Sequence, residues 1–301
     1  MRPVRRGRLG TVASAVAATV LLAACSGPGT PTGAPPGPPP VPAPLPAGLT
    51  AVVDQARSAR VGREVFVRLL NDTGRRVRVT HAEITSPRFA PVTWTGERSF
   101  VNEADLAFAL PPAGCGTGAE VGVRLTYDVD GGAPRVSTTT AHDRYGAFAL
   151  LLDRDCAAGL LAAAADVSVG PPRVVGTGRG SVLELPVRVA PTGGGSDLVL
   201  GGFERTVLLA HASGSAAAGE VAVPLGAGDP PVDLLLRLVP ARCDPHAVAE
   251  DKVGTLFATR LAGTGVPDVA PYLPLDDTTR GALRCFVGTH CGWGADGAAT
   301  P

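Results

Sequence analysis

The chain has 301 residues, of which 27 are basic and 27 are acidic, and four of the arginines lie within the first 25 residues. Removal of that segment would leave 23 basic against 27 acidic residues, a net charge of −4. A mildly acidic body argues against nucleic acid or an anionic membrane surface as the partner. Because Met1 is the only methionine, copper handling by methionine ligands is also excluded.

The chain begins with a pattern typical of an export signal. Four arginines precede an uncharged run of small and apolar residues, which ends in the sequence LAAC at positions 22–25. These four residues resemble the lipobox of bacterial lipoproteins. The resemblance implies a signal peptide over 1–24, cleavage before Cys25, and a diacylglyceryl group on Cys25 that anchors the protein to the extracytoplasmic face of the cell membrane. The alternative is an ordinary secretory signal in which Cys25 is incidental.

A spacer rich in proline and glycine follows, and it extends over 25–47. Such a segment has almost no apolar surface to bury and favours the extended polyproline II conformation. We therefore predict a disordered linker that holds the folded body away from the membrane.

The body contains an internal repeat. The sequences DLAFALPPAGC (Asp105–Cys115) and DLLLRLVPARC (Asp233–Cys243) align without a gap and share six of eleven residues. Three further pairs of blocks align in the same order: 67–74 with 187–194, 121–131 with 253–263, and 146–156 with 281–291. This pattern predicts two copies of one domain, over 48–166 and 167–294, followed by a disordered tail over 295–301.

The copies are predicted to be rich in β-strands. Apolar residues alternate with polar ones along 121–130 and along 234–238, as in strands with one buried face. Further strands are predicted over 64–70, 75–84 and 182–189, with turn residues after several of them. Only 156–166, at the junction between the copies, favours a helix. The predicted fold class is all-β, with two tandem Ig-like β-sandwich domains.

The combination of a lipobox, a proline-rich spacer and tandem β-domains with NDTG-type turns resembles actinobacterial surface lipoproteins with Ig-like domains. This resemblance implies a location and a fold. It implies no chemistry.

Five cysteines remain if Cys25 is lipidated. Thiols in an exported chain usually pair, and the repeat supplies a connectivity, because Cys115 and Cys156 occupy the same blocks as Cys243 and Cys291. We predict the disulfides Cys115–Cys156 and Cys243–Cys291. Cys285 then lies in a strand-like block, where it is expected to be a buried free thiol. Pairing of Cys285 with Cys243, or with another molecule, is the alternative.

The segment RCDPHAVAEDK (Arg242–Lys252) enlarges the loop after Cys243 by four residues relative to the first copy. We interpret it as an acidic, solvated loop. A zinc or copper site is the alternative, formed by thiolate and imidazole ligands at short spacing. Its candidate ligands are Cys243, His246, His290 and Cys291, with Cys285 nearby.

Catalytic motifs are not recognisable in this sequence. The five histidines of the chain are His81, His142, His211, His246 and His290. They lie in separate segments and are expected to be exposed or structurally hydrogen-bonded. Besides a binding module and a metal-binding protein, the third possible function is a hydrolase whose catalytic triad is assembled from several loops. A sugar-binding platform would need exposed aromatic rings, and the candidate pair is Trp94 with Phe100. The other tryptophan, Trp293, is expected to pack on the second disulfide.

The favoured function is therefore that of a non-catalytic, lipid-anchored protein of the cell envelope, without a cofactor. It would serve as a binding or structural module for an envelope protein or glycan.

Overall fold

A computed structural model describes residues 42–194, 197–213 and 221–293. The predicted signal peptide, Cys25, most of the linker and the C-terminal tail lie outside these residues. No helix in the described ranges combines the length and apolarity needed to cross a membrane.

The first half of the body is a β-sandwich of eight strands. The strands are β1 (Ala43–Pro44), β2 (Leu49–Asp54), β3 (Glu64–Asn71), β4 (Val77–Ser86), β5 (Phe89–Phe100), β6 (Glu103–Ala109), β7 (Val121–Val129) and β8 (Arg135–Asp143). Their order is β5-β4-β7-β8-β2-β3-β6, with β1 beside β8. Only two residue pairs join β8 to β2, and there the two strands are parallel. Residues on both sides of this junction, such as Leu125 of β7 and Val67 of β3, share one core.

Alternation of side chains explains why these strands form. Along β3, every second residue from Val65 to Asn71 is buried, and along β6 the same alternation holds from Ala104 to Phe108. One face of each strand therefore packs on the core, and the other face is partly or fully exposed. The predicted strands at 64–70, 75–84 and 121–130 are confirmed as β3, β4 and β7.

The described part of the second half contains two smaller sheets. One consists of β9 (Ala165–Val169), β10 (Arg173–Val175), β11 (Val182–Pro191), β13 (Leu209–His211) and β15 (Val232–Pro240), and the other of β12 (Val199–Phe203), β14 (Val223–Pro224) and β16 (Thr259–Ala262). In the first sheet β11 pairs with β15 on one side and with β9 and β10 on the other. The predicted strands at 182–189 and 234–238 are confirmed as β11 and β15.

Among the described residues, three α-helices accompany the strands: α1 (Ala147–Ala164), α2 (Pro245–Ala249) and α3 (Asp277–Cys291). The all-β class is confirmed as a β-sandwich architecture, but helix is less scarce than predicted. Helix α1 begins nine residues before 156, and α3 was not predicted. The blocks 146–156 and 281–291, aligned by sequence, are both helical, so the strand-like interpretation of the second block was wrong.

The two halves have separate hydrophobic cores. Phe108, Phe148 and Leu106 belong to the first, and Phe203, Phe257 and Leu185 belong to the second. Division of the body into two independent domains stays a prediction.

Strand pairing follows the repeat found in the sequence. The alignment placed Arg68 with Arg188 and Asp105 with Asp233. In the structure Arg68 lies opposite Asp105 between β3 and β6, and Arg188 lies opposite Asp233 between β11 and β15. Both pairs form ion pairs, with nitrogen–oxygen distances of 2.7 and 2.9 Å. The aligned blocks therefore have the same register and the same cross-strand contact in both halves.

Candidate functional site

The loop that follows β6 is tied to α1 by a disulfide. Cys115 is bonded to Cys156, as predicted. Two arginines strengthen the connection. Arg63 donates hydrogen bonds to both carboxylate oxygens of the buried Asp155, and Asp155 also accepts the N–H of Ala113.

Arg88 is the second of these arginines, and its side chain is only 4 % exposed. It donates to the carbonyl oxygens of Gly114 and Leu152, at 2.9 and 2.7 Å, and to the carboxylate of Asp153 at 2.7 Å. These hydrogen bonds give the buried guanidinium group of Arg88 an acceptor on each of three residues. Helix α1 is therefore held firmly against the sandwich.

Parallel pairing of β2 and β8 creates a cleft at one end of the first half. Because the two strands run in the same direction, their carboxyl ends lie at the same end of the sheet, and the chain leaves both strands there. After β2 it forms a short 3-10 helix, Arg57–Ala59. After β8 it turns into α1 through Gly146, whose φ of 69° favours glycine.

The cleft between these two segments has a volume of about 430 Å³. Leu150 and Arg154 reach it from the same face of α1, since they are four residues apart. We call this cavity the arginine cleft, and its principal lining residues are Asp54, Arg57, Arg60, Tyr145, Leu150 and Arg154.

Positive charge is in excess in the arginine cleft, where three guanidinium groups accompany one carboxylate. In the part of the chain that the structure describes, no carboxylate oxygen lies within 4.0 Å of Arg57, Arg60 or Arg154. Arg63 and Arg88, which hold the fold together, both have such a partner.

Arg154 is the most constrained of the three cationic groups. Its Nε donates to the carbonyl oxygen of Ala270 at 3.3 Å, and its guanidinium carbon lies 4.5 Å from the centre of the Tyr272 ring. Burial lowers the pKa of Arg154 from its ordinary value, and the charge of Arg60 lowers it further, against the raising effects of Tyr272 and Asp155. Arg60 and Arg154 line the same cavity without a carboxylate partner among the described residues, and an anion bound there would be attracted to both.

The second half has an equivalent disulfide, Cys243–Cys291, also as predicted. Because these two sulfurs are bonded to each other, neither can ligate a metal as a thiolate. His246 is exposed on α2, and His290 lies on α3. Within 42–194, 197–213 and 221–293, no three His, Cys, Asp or Glu side chains are grouped as around a metal ion.

The segment Arg242–Lys252 contains a short helix rather than only a loop. Asp244 caps α2 by accepting the N–H of His246 at 3.0 Å, and Pro245 occupies the first helical turn. Most of the segment is exposed, as expected for a solvated surface element.

Cys285 is free but exposed, which corrects the prediction of a buried thiol. The buried face of α3 contains Leu283, Phe286, Val287 and Cys291. Cys285 is two residues from both Leu283 and Val287, about 200° around a helix, and therefore lies on the opposite side.

A serine and a histidine do come together in the second half. His290 Nδ1 lies 3.1 Å from Ser181 Oγ and 3.0 Å from the Ser181 carbonyl oxygen. The Ser181 hydroxyl donates to the carbonyl oxygen of Gly178 at 2.6 Å, and Ser181 is only 2 % exposed. The hydroxyl proton is therefore directed away from the histidine, and the contact fastens α3 to the 3-10 helix Gly178–Gly180.

The remaining histidines are dispersed. His81 lies in β4, where Nδ1 is 3.4 Å from Thr95 Oγ1, and His142 is exposed on β8. Nε2 of His211 lies 2.9 Å from the carbonyl oxygen of Phe203. These contacts are structural, in agreement with the interpretation from sequence.

The aromatic pair considered for sugar binding is not an exposed platform. Phe100 is buried in the first core, and Trp94 is half-buried against it within β5. Trp293 is half-buried in the same cluster as Cys243 and Cys291, where it was expected to pack. The exposed aromatic side chain of the first half is instead Tyr145, at 71 %.

No family model and no curated protein matches this chain. Among solved structures, red sea bream transglutaminase is similar over 76 % of this chain and 31 % of its own, with 14 % identity and a TM-score of 0.22. The CBD12 structure from CALX1.2 is similar over 67 % of this chain and 75 % of its own, with 13 % identity and a TM-score of 0.21. The exo-chitosanase CsxA of Amycolatopsis orientalis is similar over 76 % of this chain and 26 % of its own, with 14 % identity and a TM-score of 0.18.

This chain spans less than a third of the transglutaminase and of the chitosanase. At such low TM-scores these similarities carry no argument about function.

Proposed function

We propose that this protein is a non-catalytic binding module of the bacterial cell envelope. In this proposal a lipid on Cys25 anchors it to the extracytoplasmic face of the membrane, the linker over 25–47 separates it from the bilayer, and the arginine cleft is its binding surface. The two disulfides indicate an extracytoplasmic protein, because such bonds form and persist in oxidising compartments.

The observation that carries the binding role is the unpaired charge of the arginine cleft. Arg57, Arg60 and Arg154 line one cavity without a carboxylate within ion-pair distance among the described residues. Arginine recognises carboxylate and phosphate groups with paired, directional hydrogen bonds. A concave site with a few convergent polar groups on a rigid scaffold is typical of ligand binding.

Two other functions have weaker support. A metal site at Cys243 and Cys291 would require the second disulfide to be broken. A hydrolase built on Ser181 and His290 would require an accessible hydroxyl directed at the histidine, whereas the hydroxyl of Ser181 is buried and donates to Gly178.

The anchor is tested by growth of a bacterial host that expresses the full chain in the presence of radiolabelled palmitate. The wild-type protein should incorporate the label, and the Cys25→Ser variant should not. Incorporation of the label into Cys25→Ser would contradict lipidation at this residue.

The binding role is tested by sedimentation of the Cys25→Ser chain with isolated, protease-treated cell envelopes. Arg60→Glu on this background should abolish co-sedimentation, because it cancels the excess positive charge of the cleft. Arg98→Glu is the matched control, since Arg98 is exposed on β5 and does not line the cleft. Equal sedimentation of both variants would contradict a role for the cleft.

A further inference from the structure

The arginine cleft has a chemical character that narrows its ligand. An anion is expected between the three guanidinium groups, because none of them has a carboxylate within 4.0 Å among the residues described. The cleft is a cavity of about 430 Å³ rather than a flat basic face. Its volume is typical of a site for a small molecule or for one residue of a polymer.

The wall beside the arginines is aromatic and apolar. Tyr145 is 71 % exposed and Leu150 is 45 % exposed, and both line the cleft. Tyr145 also lies beside Arg144, whose guanidinium carbon is 5.8 Å from the ring centre. A flat, exposed aromatic ring next to a cationic site suits a ligand with a ring of its own attached to the anionic group.

Asp54 adds a hydrogen-bond acceptor to the same cavity. Its Oδ1 accepts the N–H of Gln55 at 2.7 Å, and the carboxylate is part of the lining. A carboxylate among three arginines does not help to hold a simple anion. It does accept hydrogen bonds from hydroxyl groups.

We infer that the arginine cleft binds a sugar residue that carries a carboxylate or phosphate group. The anion lies between Arg57, Arg60 and Arg154, the ring packs against Tyr145, and hydroxyl groups donate to Asp54. This inference rests on the proposed binding function and specifies its ligand as an anionic glycan.

Isothermal titration of the Cys25→Ser chain tests the ligand class. The probes are glucuronate, glucose 6-phosphate, neutral glucose and inorganic phosphate, so the carboxylate and phosphate sources are separated. We expect glucuronate or glucose 6-phosphate to bind at least about tenfold more tightly than both glucose and inorganic phosphate. Inorganic phosphate that binds as tightly as the anionic sugars would overturn the sugar part of the inference.

Substitutions of the lining residues test whether the anionic sugar binds in the arginine cleft. Arg57→Ala and Arg60→Ala should each weaken binding of the anionic sugar about tenfold, the usual effect of losing one charge-assisted hydrogen bond. Tyr145→Ala should weaken it without changing the affinity for inorganic phosphate, and Arg98→Ala is the control that should change neither. Circular dichroism identifies any variant that fails to fold, and Arg57, which is exposed, is the safer substitution. Affinities unchanged in both arginine variants would overturn the site.

Failure of the ligand class is distinguishable from failure of the binding function. If envelopes still retain the protein through Arg60 but no anionic sugar binds, the ligand class is wrong and the binding function stands. If neither envelopes nor anionic sugars bind the folded protein, both are wrong.

Discussion

Loss of the Cys115–Cys156 disulfide should lower the unfolding free energy of the first half by about 4 kcal/mol. The bond joins residues separated by 41 positions, and a loop of that length restricts the unfolded chain. The loop-closure entropy corresponds to about 4 kcal/mol at 25 °C. With an m-value of about 2 kcal/mol/M, the urea midpoint of a Cys115→Ala/Cys156→Ala variant should fall by about 2 M.

The two tryptophans make this measurement specific for each half. Trp94 packs against the first core and Trp293 against the second, and the chain has no others. Fluorescence of a Trp293→Phe background therefore reports on the first half, and that of a Trp94→Phe background reports on the second. If the halves are independent domains, only the Trp94 transition moves.

The control is Cys285→Ala, which removes an exposed, unbonded thiol and should leave both midpoints unchanged. A midpoint shift below about 0.5 M for the double variant would refute the estimate for the disulfide. A common shift of both transitions would contradict the division into two domains.

Three further outcomes are expected. In the folded Cys25→Ser chain, a maleimide should label Cys285 alone; reaction only after unfolding would contradict its position on the exposed side of α3. Arg88→Met should lower the free energy of unfolding in urea by about 3 kcal/mol, because it leaves buried carbonyl oxygens without their donor. The control Arg98→Met should lower it by less than about 0.5 kcal/mol. Equal effects of the two substitutions would refute the role given to Arg88. A fluorophosphonate should leave Ser181 unmodified, since its hydroxyl is buried, and labelling of Ser181 would favour a hydrolase.

Most of the strands and both disulfides could be predicted because their signals are local or repeated. Alternating burial defines β3, β7 and β15, and the repeat pairs Cys243 with Cys291 by analogy with the first half. The common register of Arg68–Asp105 and Arg188–Asp233 shows that the aligned blocks correspond in space as well as in sequence.

Helix α3 was missed although its ends have recognisable signals. The Asp276 side chain accepts the N–H of Thr279 at 2.7 Å, and Gly292 ends the helix with a φ of 75°. Between these ends lie Phe286, Val287 and Thr289, which also favour strands, and they obscured the helical period. The wrong secondary structure then placed Cys285 on the buried side.

The arginine cleft could not be predicted from the sequence. Arg57 and Arg60 are nearly 100 positions away from Arg154, and no local motif connects them. They come together because β2 and β8 are parallel neighbours, and this pairing depends on the whole sandwich. The chain as a whole has equal numbers of basic and acidic residues, so its net charge does not reveal the local excess of positive charge in the cleft.

The most direct test of the central claim is an NMR titration of the arginine side chains. In the ¹⁵N-labelled Cys25→Ser chain, the Nε–Hε signals of Arg57, Arg60 and Arg154 are followed as glucose 6-phosphate is added, with Arg98 as the internal control. Binding in the arginine cleft predicts saturable shifts of these three signals and none for Arg98. Saturable shifts confined to other arginines, or no shifts at millimolar concentrations, would contradict the assignment of the cleft as the binding surface.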